Sequence, residues 1–71
     1  MINEIVFFDI PCVGECRIRT NKGYTSYPVQ FTIVQRVTED DGISTYTVRL
    51  LNGIERTAFY DTDTLTFYYY D

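Results

Sequence analysis

The chain has 71 residues, a size at which folding hides only about 60% of the unfolded surface, so a single domain spanning residues 1–71 must be stabilised by dense packing. Seven Tyr and five Phe supply that density, each buried ring removing on the order of 150–250 Å² from water. Ten carboxylates against six basic groups give a net charge of −4, which argues against affinity gained by neutralising nucleic-acid phosphates and suits a partner for something basic.

The first residues, Met1-Ile2-Asn3-Glu4-Ile5, place no basic stretch ahead of a long apolar run. Nowhere does the chain approach the roughly 20 apolar residues that span a bilayer, so a cytoplasmic protein without membrane contact is expected. Ile2 to Phe8 reads as a strand with Ile2, Val6 and Phe8 on one face and Ile5 and Phe7 on the other, both faces covered. Ile10-Pro11-Cys12 should end it, because proline donates no ladder hydrogen bond. Val13 to Thr20 then alternates, with Cys16 and Ile18 on one side and Glu15, Arg17 and Arg19 on a wet face. Asn21-Lys22-Gly23 is a turn, and Tyr24 to Pro28 an irregular entry to the next strand.

Val29 to Tyr60 reads as a three-strand antiparallel meander. Val29–Val37 is turned by Thr38 to Gly42, Ile43–Leu51 returns, and Asn52-Gly53 suits a two-residue type I′ turn into a strand that runs to Tyr60. That register sets Leu50 opposite Glu55, Arg49 opposite Arg56 and Tyr46 opposite Phe59. A four-residue loop at Glu39 to Gly42 sets Phe31 opposite Leu50, Ile33 opposite Val48 and Gln35 opposite Tyr46. The core face is then Val29, Phe31, Ile33, Val37, Tyr46, Val48, Leu50 and Phe59, while Thr32, Arg49 and Arg56 share an outer row, with Arg36, Thr45 and Tyr60 in a row near the far end.

Asp61-Thr62-Asp63-Thr64 is the best place for a single helical turn, since its side-chain oxygens can accept from free backbone amides. Leu65–Tyr70 is the last strand, with Phe67 in the core beside Phe59 and Tyr68 and Tyr70 on the Arg face. No segment has helical periodicity, so the expected fold is all-β: one antiparallel sheet of five to six strands in meander order, which at this size curls into an SH3-like small barrel. Tyr46-Thr47-Val48-Arg49-Leu50-Leu51-Asn52-Gly53-Ile54, with Phe59 and Leu65, resembles the tyrosine, valine and turn-glycine pattern of SH3-like barrels. The resemblance implies a fold and carries over no functional residue.

Catalytic chemistry is poorly supplied. There is no His, Ser26 and Ser44 are the only serines, Lys22 the only lysine, and Asp61 with Asp63 reads as a turn bonding its own backbone more readily than as an acid–base pair. Cys12 and Cys16 lack the further ligands of a tetrahedral zinc site and are expected to be reduced, with a zinc shared between two copies as the alternative; no cofactor is expected. Two arginines directly opposed, Arg49 and Arg56, admit three readings: stems laid over neighbours with guanidinium groups stacked on Tyr68 or Tyr70, a clamp for a carboxylate or phosphate, or part of a protein interface. The terminal tyrosines suit either a partner strand at a sheet edge or stacking of single-stranded bases. Glu39, Asp40 and Asp41 form an acidic hairpin tip.

The expected function is a non-enzymatic protein-binding protein that uses Glu39, Asp40, Asp41, Arg49, Arg56, Tyr60, Tyr68 and Tyr70 against a larger, basic host protein or complex. In size, acidity and lack of a catalytic set the chain is similar in type to the small inhibitors that phages and mobile elements make against host nucleic-acid-handling systems, anti-CRISPR proteins among them, with no shared motif. The alternatives are a small-barrel binder of single-stranded nucleic acid or nucleotide through Arg17, Arg19, Arg49, Arg56 and the tyrosines, and an accessory subunit of an oligomer, a homodimer through an edge strand included.

Overall fold

The computed structural model describes residues 3–71. Five strands follow in order, β1 Glu4–Thr20, β2 Gly23–Thr38, β3 Ser44–Leu50, β4 Glu55–Asp61 and β5 Thr66–Tyr70. Each pairs antiparallel with the next, giving the meander that the alternating patterns and turns predict. Glu15, Cys16 and Arg17 then pair with Tyr68, Tyr69 and Tyr70 and close the ring into a barrel. This seam is parallel, because in a meander of odd strand number the first and last strands run the same way. Gly14 permits the approach, since a Cβ there would overlap the Phe31 ring and the Phe67 carbonyl.

The expected boundaries change at both prolines. Pro11 does not end a strand; it lies inside β1 opposite Thr32, and Pro28 lies inside β2 opposite Glu15. At Pro11 β1 pairs with β2 alone, and at Pro28 β2 pairs with β1 alone, so each ring can turn its missing amide to an open edge. Tyr24 to Pro28 is therefore regular strand. The open edge of β1 also uncovers the face that Ile5 and Phe7 share: Phe7 is 77% exposed. Ile2 lies outside the described residues.

Two local irregularities reset the registers. Phe31 faces Leu50 and Ile33 faces Val48 as expected, but a bulge between Ile33 and Gln35 moves Gln35 opposite Thr47 and Arg36 opposite Tyr46. The loop from Glu39 to Ile43 accordingly has five residues, closed by Glu39 N–H donating to the Ile43 carbonyl at 2.9 Å. At the next turn Leu50 N–H donates to the Ile54 carbonyl at 2.8 Å and Gly53 N–H to the Leu50 carbonyl at 2.9 Å, so Leu51-Asn52-Gly53 is a three-residue loop. Gly53 supplies the positive φ, 88°, of the residue that follows a type I turn in such loops. Arg49 thus faces Glu55, and Arg56 faces Val48. The expected Arg49–Arg56 pair does not form.

The one-residue slip exchanges the faces of β4. Ala58, opposite Tyr46, enters the core with Cys16, Phe31, Ile33, Val48 and Tyr69, while Phe59 turns outward. Val29, Tyr46, Leu50 and Phe67 pack around that cluster, and Val37, beyond the bulge, lies outside it. Tyr60 faces Phe67 with ring centres 4.7 Å apart. Tyr60 and Arg36 therefore share the inward rows at one barrel end and Thr45 does not join them. No helix occurs among the described residues: β4 ends at Asp61 and Thr62 to Leu65 is a turn, in which Asp61 Oδ1 accepts from the amides of Asp63 at 2.9 Å and Thr64 at 3.3 Å.

Candidate binding surface

The parallel seam gathers side chains that are far apart in the chain. Partners across a ladder point to the same face, so Glu15 and Arg17 of β1 share the outer surface with Tyr68 and Tyr70 of β5, with Phe59 of β4 and with Ser26 of β2. Rings run across it in sequence: Phe59 to Tyr68 at 5.7 Å, Tyr68 to Tyr70 at 5.5 Å and Tyr70 to Tyr24 at 6.3 Å between centres. Tyr69 points the other way, into the core. The Tyr68-Tyr69-Tyr70 run divides between the two faces as its alternation requires.

Arg17 organises the charge on this surface. Its guanidinium carbon lies 3.8 Å from the centre of the Tyr68 ring, while Nη2 donates to Glu15 Oε1 and Asp61 Oδ2, each at 3.0 Å. The guanidinium and then the amides of Asp63 and Thr64 hold the Asp61 carboxyl below the usual aspartate range. Burial, then the Tyr70 hydroxyl, pushes the Tyr68 phenol up. Beside the Arg17 stack an open groove of about 390 Å³ lies between Tyr24 and Tyr70, with Glu15, Arg17, Ser26 and Thr64 completing its wall.

The side chains expected to bind do not converge. Glu39, Asp40 and Asp41 stand exposed at the β2–β3 tip. Arg49, on the outer face of β3, is 4.0 Å from Asp9, whereas Arg56 points along the inner rows, 3.3 Å from Asp71 and 5.7 Å from the Tyr69 ring centre. Of the expected arginines and tyrosines, only Tyr68 and Tyr70 come together. The arginine on the tyrosine face is Arg17, one of the nucleic-acid candidates, and not Arg49 or Arg56. Glu15, Tyr24, Phe59 and Asp61 complete the surface. The clean alternation of Val13–Thr20 marks Glu15 and Arg17 as outward, but their neighbours depend on the seam.

Cys12 and Cys16 are free thiols. Four residues apart on one strand, they are separated by about 13 Å and cannot bridge each other. Burial pushes the Cys12 thiol up. Cys16 is fully buried and pairs in register with Tyr27 on one side and Tyr69 on the other. Set against protein families, curated proteins and solved structures, the chain matches none.

Proposed function

We propose that this protein is a small acidic protein-binding domain that acts without catalysis on a larger, basic partner, and that it inhibits a host nucleic-acid-handling complex as the small proteins of phages and mobile elements do. One observation carries the reading: the basic side chains are largely neutralised within the chain, whereas much of the acidic charge is not. Arg17, Arg36, Arg49 and Arg56 each reach a carboxylate, leaving Arg19 and Lys22 near the β1–β2 turn. Glu39, Asp40, Asp41, Glu55 and Asp63 have no basic partner among the described residues.

The β2–β3 tip and the β1–β2 turn stand at the two ends of β2, in a molecule whose longest dimension is 40 Å. A free acidic pole of this kind steers diffusional encounter with a basic surface. If that surface is one that handles nucleic acid, its occupation excludes the polyanion and inhibits by competition.

The test is capture of partners on the immobilised domain across a salt series, beside titration with single-stranded DNA and RNA. The reading expects protein capture that weakens as salt rises and no oligonucleotide retention at physiological salt. Micromolar oligonucleotide binding at about 150 mM salt, with a steep salt slope, would instead establish the nucleic-acid alternative.

A further inference from the structure

The groove between Tyr24 and Tyr70 has a counterpart in the same surface that shows what it suits. Arg17 lies over the face of Tyr68, with Glu15 and Asp61 gripping its edge. A guanidinium on a tyrosine ring, bracketed by carboxylates, thus already occurs here once. Tyr24 and Tyr70 present two more rings beside the same Glu15, open to solvent at 66% and 51% exposure. Glu15 Oε2 receives only the Ser26 hydroxyl, at 3.4 Å, and so retains acceptor capacity at the groove wall.

The local charge is one short of neutral on the cationic side. Glu15 and Asp61, two carboxylates, share the single guanidinium of Arg17, and the nearby Arg19, the ladder partner of Tyr24, pairs with neither. A single added cation balances them. An anion or a phosphate chain would face the uncompensated carboxylates, and a neutral side chain would leave them unanswered.

We infer that this groove receives one cationic side chain, arginine or lysine, from the protein partner, held against the Tyr24 and Tyr70 rings by cation–π attraction and by Glu15 through a charge-assisted hydrogen bond. The inference rests on the protein-binding reading above and specifies its chemistry at a second place, distinct from the acidic tip.

The experiment follows the ring resonances of Tyr24 and Tyr70 by NMR while blocked tri-arginine, tri-lysine and neutral tri-norleucine peptides are titrated into the full chain. Saturable shifts of both rings are expected with the cationic peptides and not with tri-norleucine. Combining Tyr24→Ala with Glu15→Gln should weaken binding roughly tenfold by removing a ring and a charged acceptor. Arg19→Gln, which removes the neighbouring like charge, should strengthen it, a gain that misfolding does not produce. Glu39→Asn with Asp40→Asn should leave the groove shifts unchanged. Shifts confined to the acidic tip, equal shifts with tri-norleucine, or weaker binding in Arg19→Gln would overturn the inference. If the captured partner binds Tyr24→Ala as well as the parent, the groove assignment fails while the protein-binding reading stands; if the peptides fill the groove and no protein partner exists, the reverse holds.

Discussion

Gly14 lies against the ring of Phe31 and the backbone carbonyl of Phe67, with no room for another carbon between them. The contact joins β1, β2 and the start of β5 one residue before the parallel seam, so closure of the barrel depends on an absent side chain. Gly14→Ala should therefore destabilise the fold by about 1–3 kcal/mol, the usual cost of overpacking a filled interior. Urea denaturation followed by circular dichroism measures it. An alanine tolerated without loss would show that β1 and β5 do not meet at this point.

Gly14 also marks where the sequence stops being legible. Alternation assigns a residue to a face, and Val13–Thr20 was readable in that sense, but it does not say which strand lies alongside. The meander follows from turn residues between adjacent strands, whereas the β1–β5 seam joins segments about fifty positions apart with no turn to announce it. Asn52-Gly53 located its turn and left the loop length open. Two or three residues fit the same dipeptide, and the longer loop moved Phe59 outward, admitted Ala58 to the core and separated Arg49 from Arg56. The bulge after Ile33 has no local signal either, since Val34-Gln35-Arg36 continues a plausible strand pattern.

Acid should act through Asp61. Its carboxyl, held down first by Arg17, stays ionised in the fold at pH values where the unfolded chain has begun to protonate. Its contribution is therefore complete above the ordinary aspartate value of 3.8 and is lost as pH falls through the lower folded value. Asp61→Asn should flatten the acid limb of a plot of melting temperature against pH. Identical limbs for the variant and the parent would remove Asp61 as the responsible group.

Base should act through Tyr69. Burial, then the adjoining Cys16 thiol, pushes its phenol from 10 up to about 12. The neutral form is favoured in the fold, so the contribution is whole below pH 10 and is lost as pH rises toward 12. Absorbance at the tyrosinate band should show late titration of Tyr27, Tyr68 and Tyr69, with the Tyr69 step coincident with loss of β-sheet signal. Tyr69→Phe keeps the ring and should reduce the late amplitude by one phenol; an unchanged late amplitude would remove Tyr69 from the late-titrating group.

Leu65 offers a gain in stability. It closes the β4–β5 turn with φ 56°, in the left-handed region where a side chain crowds the backbone, and it is 74% exposed, so its side chain adds little to the core. Leu65→Gly should stabilise by up to about 1 kcal/mol, because relief of that crowding outweighs the added freedom of the unfolded chain. A lower denaturation midpoint for the variant would mean that the Leu65 side chain packs in solution more than its exposure indicates.

At the acidic tip, stability and binding should separate. Glu39, Asp40 and Asp41 make no core contact, but Asp41 Oδ1 accepts from the Ile43 amide at 3.0 Å, so this carboxylate shapes the turn as well as charging it. Asparagine keeps that acceptor and removes the charge. Changing all three to Asn should therefore cost within about 0.5 kcal/mol for each surface position, and relief of their mutual repulsion favours the variant further. Asp41→Ala, which removes the acceptor, should cost more than Asp41→Asn. Binding should respond differently: charge at a protruding end acts chiefly on encounter, so the triple Asn variant should associate with its protein partner roughly tenfold more slowly at low salt while its dissociation rate stays close to that of the parent. The difference should shrink as salt is raised. Surface plasmon resonance at several ionic strengths resolves the two rates; an association rate equal to that of the parent at low salt would take the tip out of the encounter and leave the Tyr24–Tyr70 surface as the place where the partner is recognised.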